Sequence, residues 1–369
     1  MPTITKETAP FMTKLNAWVS DNLTHVSFVQ KILFVHNLHI MVKAGLSIVD
    51  ALRILSEQVD NKKLKTTIGA IKSQVEKGQQ LSEVLAQYPK IFPPIYVSMI
   101  AAGEVAGKLE ESLEQVLIQM KKTHELTSRI RGALIYPAVV MSAMVGIGIE
   151  MVVFVLPKIL VLFKDFEGAQ LPLATRILIT IVEFMGRYGV FVGIGVFVFI
   201  ALIVWLERKL AIKRVVHRLN LRLPIAGPII KKINLARFTL TLSSLLQSTI
   251  PIIEAVRITA TVQTNLTYRE DLLMVSETLK KGEALSETLG RFPKQFTPMV
   301  VQMIMVGEQS GQVEQMLKEL AEYYGNEVDA TMKNFSTIIE PVIILLLGVA
   351  VAGMAVAVIM PMYSLAQNF

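Results

Sequence analysis

A chain of 369 residues that is 52% hydrophobic and only 18% charged, with a mean hydropathy of +0.51, is too apolar to be soluble throughout. Part of it is expected in lipid. The net charge of +7 fits Lys and Arg held on the cytoplasmic side of a bilayer rather than direct nucleic-acid binding, and the absence of cysteine excludes disulfides and thiolate metal sites.

Residues 1–29 read as a polar N-terminal leader without the apolar core of a signal peptide, so the N-terminus is expected in the cytoplasm. Across 29–59 apolar residues recur at helical spacing, among them Ile32, Val35, Leu38 and Val42, and Gly45 with Ser47 marks a break between two helices. A helix over 61–76 stops at Lys77-Gly78; a short helix after Ser82 and a corner at Phe92-Pro93-Pro94 follow. Another helix leads to Gly103, and a long amphipathic one starts at Lys108 and is expected to end near Arg131-Gly132. Together 30–132 form a first helical module. Residues 133–160 are long and apolar enough for transmembrane helix 1, since a span takes about 20 residues.

An external loop and the start of a long helix occupy 161–187, and 188–206 is transmembrane helix 2. The connector 207–237 is basic: its segment 207–232 carries eight Lys and Arg against one Glu, so it is expected on the cytoplasmic side. Arg208, Lys209, Lys213 and Arg214 are its expected anchors to anionic lipid. Residues 238–336 form a second module, 338–360 transmembrane helix 3, and 361–369 an external tail. The expected fold is an all-α integral membrane protein with two homologous cytoplasmic helical-bundle modules and three transmembrane helices.

The two modules are one module written twice. GEVAGKLEESL at 103–113 returns as GEQSGQVEQML at 307–317, and at the same spacing KGQQLSEVL pairs with KGEALSETL, Tyr88-Pro89 with Phe292-Pro293, and Pro137 with Pro341. Ungapped register over so long a stretch marks internal duplication. Gly103, Gly107, Gly307 and Gly311 are expected to let two helices meet tightly, while Glu104 and Glu308 reach backbone donors or a cation at the next helix's N-terminus, or face a partner protein.

GEVAGK looks at first like a phosphate loop, but only three residues separate its glycines, Leu109 follows the lysine, and Gln312 replaces that lysine in the second copy. His36 and His39 have no nearby acid to complete a metal site, and their counterparts are Leu240 and Ser243. Arg53 and Arg257 stand three residues after Asp50 and Glu254, a spacing for ion pairs on a helix. No catalytic set can be assembled, and neither a cofactor nor a metal is expected. Glu150 lies inside span one, where an acid is costly; it either reaches the interface, pairs with Arg176 or Arg187, or grips a cationic group on a transmembrane partner. Gly189 with Gly193, and Gly348 with Ala352, are small residues four apart of the kind that let membrane helices approach.

Two helical modules, each with a GE-x-x-G corner and a Y/F-P-x-x-F-x-P segment and each running into a proline-containing span, resemble the inner-membrane platform proteins of type IV pilus and type II secretion systems. The resemblance covers about 30–365 and rests on Gly78, Leu81, Pro89, Phe92, Gly103, Glu104, Gly107 and Pro137 with their second-copy counterparts. The family's frequent glycine and proline before the second helix appear here as Gly45 with Ser47 and as Thr249 with Pro251. The resemblance implies a non-enzymatic scaffold of the bacterial inner membrane that passes motion from a cytoplasmic hexameric ATPase to pilin or pseudopilin helices. Contacts with other inner-membrane assembly proteins and self-association are expected with it. An oligomeric transporter or channel is the competing reading, but duplicated transporters repeat their membrane-embedded part.

Overall fold

The computed structural model describes residues 26–155, 157, 173–206 and 209–366. The leader up to residue 25, residues 156 and 158–160 of the expected first span, 161–172 of the expected loop segment, Glu207, Arg208 and the last three residues lie outside the described residues. Among the described residues every regular element is helical.

The first repeat contributes α1 (Phe28–Lys43), α2 (Ile48–Gln58), α3 (Lys62–Val75), α4 (Leu81–Ala86), α5 (Pro94–Val105) and α6 (Leu109–Glu150). Helix α7 (Leu173–Leu206) and α8 (Leu210–Asn220) follow. The second repeat contributes α9 (Ala226–Gln247), α10 (Ile252–Val262), α11 (Leu266–Leu279), α12 (Leu285–Gly290), α13 (Pro298–Ser310) and α14 (Val313–Ala366). Each helix of the second repeat from α10 onward starts 204 residues after its counterpart, as Ile48 and Ile252 or Leu109 and Val313 show.

Local chemistry sets these boundaries. Ser27 and Gln30 form a reciprocal cap at α1, with Gln30 N donating to Ser27 Oγ (3.2 Å) and Ser27 N to Gln30 Oε1 (3.0 Å). Asn61 accepts from Leu64 N (3.1 Å) at α3, and Pro94 opens α5, where its missing N–H leaves no bond unmade. Just beyond α3 the chain turns at Gly78 and, beyond its counterpart α11, at Gly282, with φ of +88° and +87°, a conformation that favours glycine.

Two compact units result. Of the described residues, one holds 26–126 with 230–325, and so contains α1 to α5, most of α9, α10 to α13, and the starts of α6 and α14. Its first-repeat core is built by Leu52, Leu64, Ile68, Leu81, Leu85 and Met99, all fully buried. The second-repeat core uses Val256, Tyr268, Leu272, Leu285, Leu289 and Ile304. Phe34 packs on Phe92 with ring centroids 5.5 Å apart, and the equivalent Phe238 on Phe296 at 5.2 Å. Each such buried side chain contributes about 2 kcal/mol.

The other unit holds 127–229 with 326–369. Arg129 and Asp329 are ion-paired there. Helices α6 and α14, the first running on through Val155, are long and apolar enough to cross a membrane. Their apolar side chains are bare: Leu345 on α14 is 70% exposed and Ile135 on α6 is 62% exposed.

Three boundaries differ from expectation. Helix α6 does not end near Arg131-Gly132 but continues through Pro137 to Glu150. Gly132 keeps helical torsions, at a propensity cost of about 1 kcal/mol, whereas Gly107 does end a helix because its φ is +68°. Helix α14 likewise passes unbroken through Pro341 and extends into the expected tail as far as Ala366. The second repeat's first helix starts at Ala226, inside the expected connector, with Pro228 in its first turn where proline is tolerated.

Candidate functional site

The feature common to both repeats is the helix corner that carries the duplicated motif. Helix α5 ends at Val105, Gly107 turns the chain, and Lys108 N donates to Gly103 O (2.7 Å) before α6 begins. Helix α6 then crosses so close to α5 that a Cβ on Gly103 would lie 2.2 Å from Ser112 Cβ. Only glycine fits there. Ser112 Oγ fixes the crossing by donating to Met99 O (2.6 Å). In the second repeat Gly311 turns the chain at φ +71°, Gln312 N donates to Gly307 O (2.8 Å), and a Cβ on Gly307 would lie 2.8 Å from Val313 Cα.

The corner glutamate reaches back along the chain. Glu104 accepts from Leu81 N (2.5 Å) and Ser82 N (2.9 Å), the first amides of α4. Glu308 accepts from Leu285 N (2.6 Å) and Ser286 N (3.2 Å) of α12, and also from the Ser286 hydroxyl. The expectation of a bond at the next helix's N-terminus is therefore corrected to the preceding short helix. The physical reason is plain: α4 and α12 have six residues each, and their N-cap residues Gln80 and Ala284 supply no side-chain cap. A helix so short leaves most of its N–H groups without partners, so a remote carboxylate is recruited to satisfy them.

A cleft of about 220 Å³ opens beside this corner, between the two repeats within the first unit. Gly103, Lys108, Glu111 and Ser112 line one wall, and Gln247, Ser248 and Thr249 the other. Thr249 has φ +58°, a strained conformation for a β-branched residue. Sequence reasoning did not single it out as strained, although the signal was there: its first-repeat counterpart is Gly45, at φ +85°.

The other expected residues lie apart from the corner. Arg53 Nη2 is 3.4 Å from Asp50 Oδ1, and Arg257 Nε donates to Glu254 Oε2 (2.7 Å), both on exposed helix faces. Ser47 and then Arg53 hold the Asp50 carboxyl below the usual carboxylate range, and Glu254 pushes the Arg257 guanidinium up. Glu150 is exposed at the last residue of α6, just before a π-helical turn, Met151–Val155. The turn precedes Pro157, which lacks an N–H and crowds the carbonyl four residues earlier, at Val153. Lys209 sits over the Trp205 ring at 4.7 Å, and Lys213 and Arg214 lie on α8. Gly189, Gly193 and Gly348 have open space around them within one chain.

His39 is buried and His36 half-buried on α1, the Nδ1 of each without a hydrogen-bond partner among the described residues. No group of three metal-ligating side chains occurs among the described residues. The groups shifted chiefly by burial lie in or beside the core. Burial pushes the Tyr96 phenol up to about 12, against a hydrogen bond to Thr123. Burial likewise raises Tyr268, and it lowers Lys31, whose Nζ donates to Lys90 O (2.8 Å). These side chains hold helices together.

The family described as "Type II secretion system (T2SS), protein F" matches twice, over residues 34–157 and 238–361. The chain belongs to this family. Both family matches begin on the paired aromatics, Phe34 and Phe238, and include the glycine–glutamate corner and the proline-bearing helix after it. Among curated relatives, the Type IV pilus assembly protein PilC of Myxococcus xanthus is 32% identical over 335 residues, 91% of this chain and 80% of its own length. PilC of Thermus thermophilus is 33% identical over 334 residues, covering 90% and 82%. Type II secretion system protein F of Vibrio cholerae is 32% identical over 329 residues, covering 89% and 80%.

Proposed function

We propose that this protein is the inner-membrane platform of a type IV pilus or type II secretion filament machine, coupling a cytoplasmic hexameric ATPase to the insertion or extraction of pilin or pseudopilin subunits. The observation that carries this reading is the construction of each family unit: a rigid helical corner followed without interruption by a helix that becomes apolar enough for a bilayer. An α-helix rises about 1.5 Å per residue, so α6 and α14 are stiff rods of about 60 and 80 Å. Such a rod carries displacement from a motor to a membrane-embedded load. The protein's own work is then mechanical, not enzymatic.

The proposed topology has three spans, at 133–160, 188–206 and 338–360, with the N-terminus inside and the C-terminus outside. The contact of the repeats supports it: Ser244 Oγ donates to Gln119 Oε1 (2.7 Å), and helices that touch share one side of the membrane. An even number of crossings must separate them, and α7, at 34 residues, supplies the second. The basic character of the segment containing Arg208, Lys209, Lys213 and Arg214 supports a cytoplasmic location of that side, against anionic lipid. Glu150 is assigned to the outer interface or to an ion pair with Arg176 or Arg187, a grip on a cationic group of a transmembrane partner being the alternative.

The test is the turnover of a filament-assembly ATPase from the same organism, measured with the full chain in nanodiscs. Stimulation is expected, with no hydrolysis by the chain alone. Val105, 82% exposed at the first corner, is the contact probe, and Val105→Asp is expected to lower stimulation while the fold survives. Absence of binding and stimulation, with solute flux in liposomes instead, would replace the platform by a transporter.

A further inference from the structure

The contact between the two repeats is one-sided. The second repeat presents the end of α9, where Ser244 and Ile250 are buried at 8% and 6% exposure. The first repeat receives it on α5 and α6, where Gln119 is 1% exposed. The duplication supplies the same two surfaces once more, and neither is covered. On α1 and the loop after it, Ile40 and Leu46 stand where Ser244 and Ile250 stand, at 49% and 37% exposure. On α13 and α14, Val306 and Tyr323 stand where Ala102 and Gln119 stand, at 51% and 43% exposure.

Both sides of the pair have changed character together. Inside the chain it is a serine bonded to a glutamine at 2.7 Å; its uncovered equivalent is Ile40 with Tyr323, apolar on both sides. The cleft shows a second joint change. Its Gln247 and Gln115 correspond to Lys43 and Glu319, so two neutral amides become opposite charges. Matched polarity and opposite charge on two separate surfaces fit the halves of one interface, although within the chain Lys43 also lies 3.7 Å from Glu110 and Glu319 accepts from Gln315 (2.8 Å).

We propose that a second copy of this chain covers them, α1 of one protomer lying on α14 of the next in the way that α9 lies on α6 within a chain. The contact is heterologous, one face against a different face, and it repeats from copy to copy until a ring closes. Copies inserted the same way in one bilayer are related by rotation about the membrane normal, the arrangement such a contact needs. The proposal goes beyond the platform reading and stands whatever motor or cargo the protein serves.

The absence of cysteine makes the test direct. Full-length chains carrying Ile40→Cys under one tag and Tyr323→Cys under another are co-expressed, purified in nanodiscs or mild detergent, and oxidised. A mixed-tag cross-link is expected, with neither variant cross-linking to itself. Ser244→Cys with Gln119→Cys in one chain checks the reach of the chemistry and is expected to close within the chain. Because both probed positions are exposed, Ile40→Asp or Tyr323→Asp is expected to leave the helix content unchanged and to weaken self-association by about tenfold or more, read by native mass spectrometry. An Ile40→Cys self-cross-link would overturn the proposal in favour of a twofold pairing. A monomeric mass without mixed cross-links, or capture of a different protein by Ile40→Cys in membranes, would overturn it outright.

Discussion

Glu104 and Glu308 pin two six-residue helices that cannot hold themselves, and this fixes what their substitution does. Glu104→Ala strands the amides of Leu81 and Ser82 and is expected to cost about 1–3 kcal/mol, read as a lower melting temperature of the purified chain. Glu104→Gln keeps an acceptor and is expected to cost less. Loss of partner binding in a charge-reversed Glu104 variant would therefore report a damaged corner, not a lost contact. That the residue is structural was legible from its repetition; the direction of its reach was not, because nothing local marks α4 as short of a cap. Tyr96 gives a pH-dependent readout. Its phenol ionises near 10 in the unfolded chain and near 12 in the folded one, because burial disfavours the charged form. Below pH 10 both states are protonated and nothing is lost. Between 10 and 12 only the unfolded chain releases the proton, so stability falls by about 1.4 kcal/mol per pH unit from this residue. Denaturant titrations across that range are expected to show the fall, and Tyr96→Phe to make it shallower, with Tyr268 still contributing.

The order and type of the helices could be read from the sequence because apolar spacing, caps and proline act locally, as at Ser27, Asn61 and Pro94. The misjudged end of α6 has a different origin. Glycine ends a helix only where the chain turns into the left-handed region, and sequence does not distinguish Gly132, which stays helical, from Gly107, which does not. Continuity across that point is what the proposed rod requires. Arg131→Gly would put two consecutive glycines into α6 at a propensity cost of about 1 kcal/mol. The expected result is retained ATPase binding with impaired filament assembly, measured side by side. Full assembly by this variant would remove the rod from the mechanism.

At the scale of the whole chain, the contact between the repeats constrains the proposed number of crossings. If only α6 and α14 crossed the membrane, the two repeats would lie on opposite faces, and the Ser244–Gln119 bond would have to pass through the bilayer. The three-span arrangement removes that conflict and leaves the termini on opposite sides. Hydropathy is the sequence's argument for this proposed arrangement, but the contact that constrains it joins residues 125 positions apart and has no local signature. Single cysteines introduced at the exposed Asp60 and Lys281, one in each repeat, turn the topology into a labelling experiment. With a membrane-impermeant maleimide, both are expected to stay unlabelled in intact cells and to react in inverted vesicles. Labelling of the two from opposite sides would mean that α7 does not cross. Simultaneous charge reversal at Lys209, Lys213 and Arg214 is expected to weaken the bias that holds the repeats inside, and so to make part of the Lys281→Cys population reactive from outside.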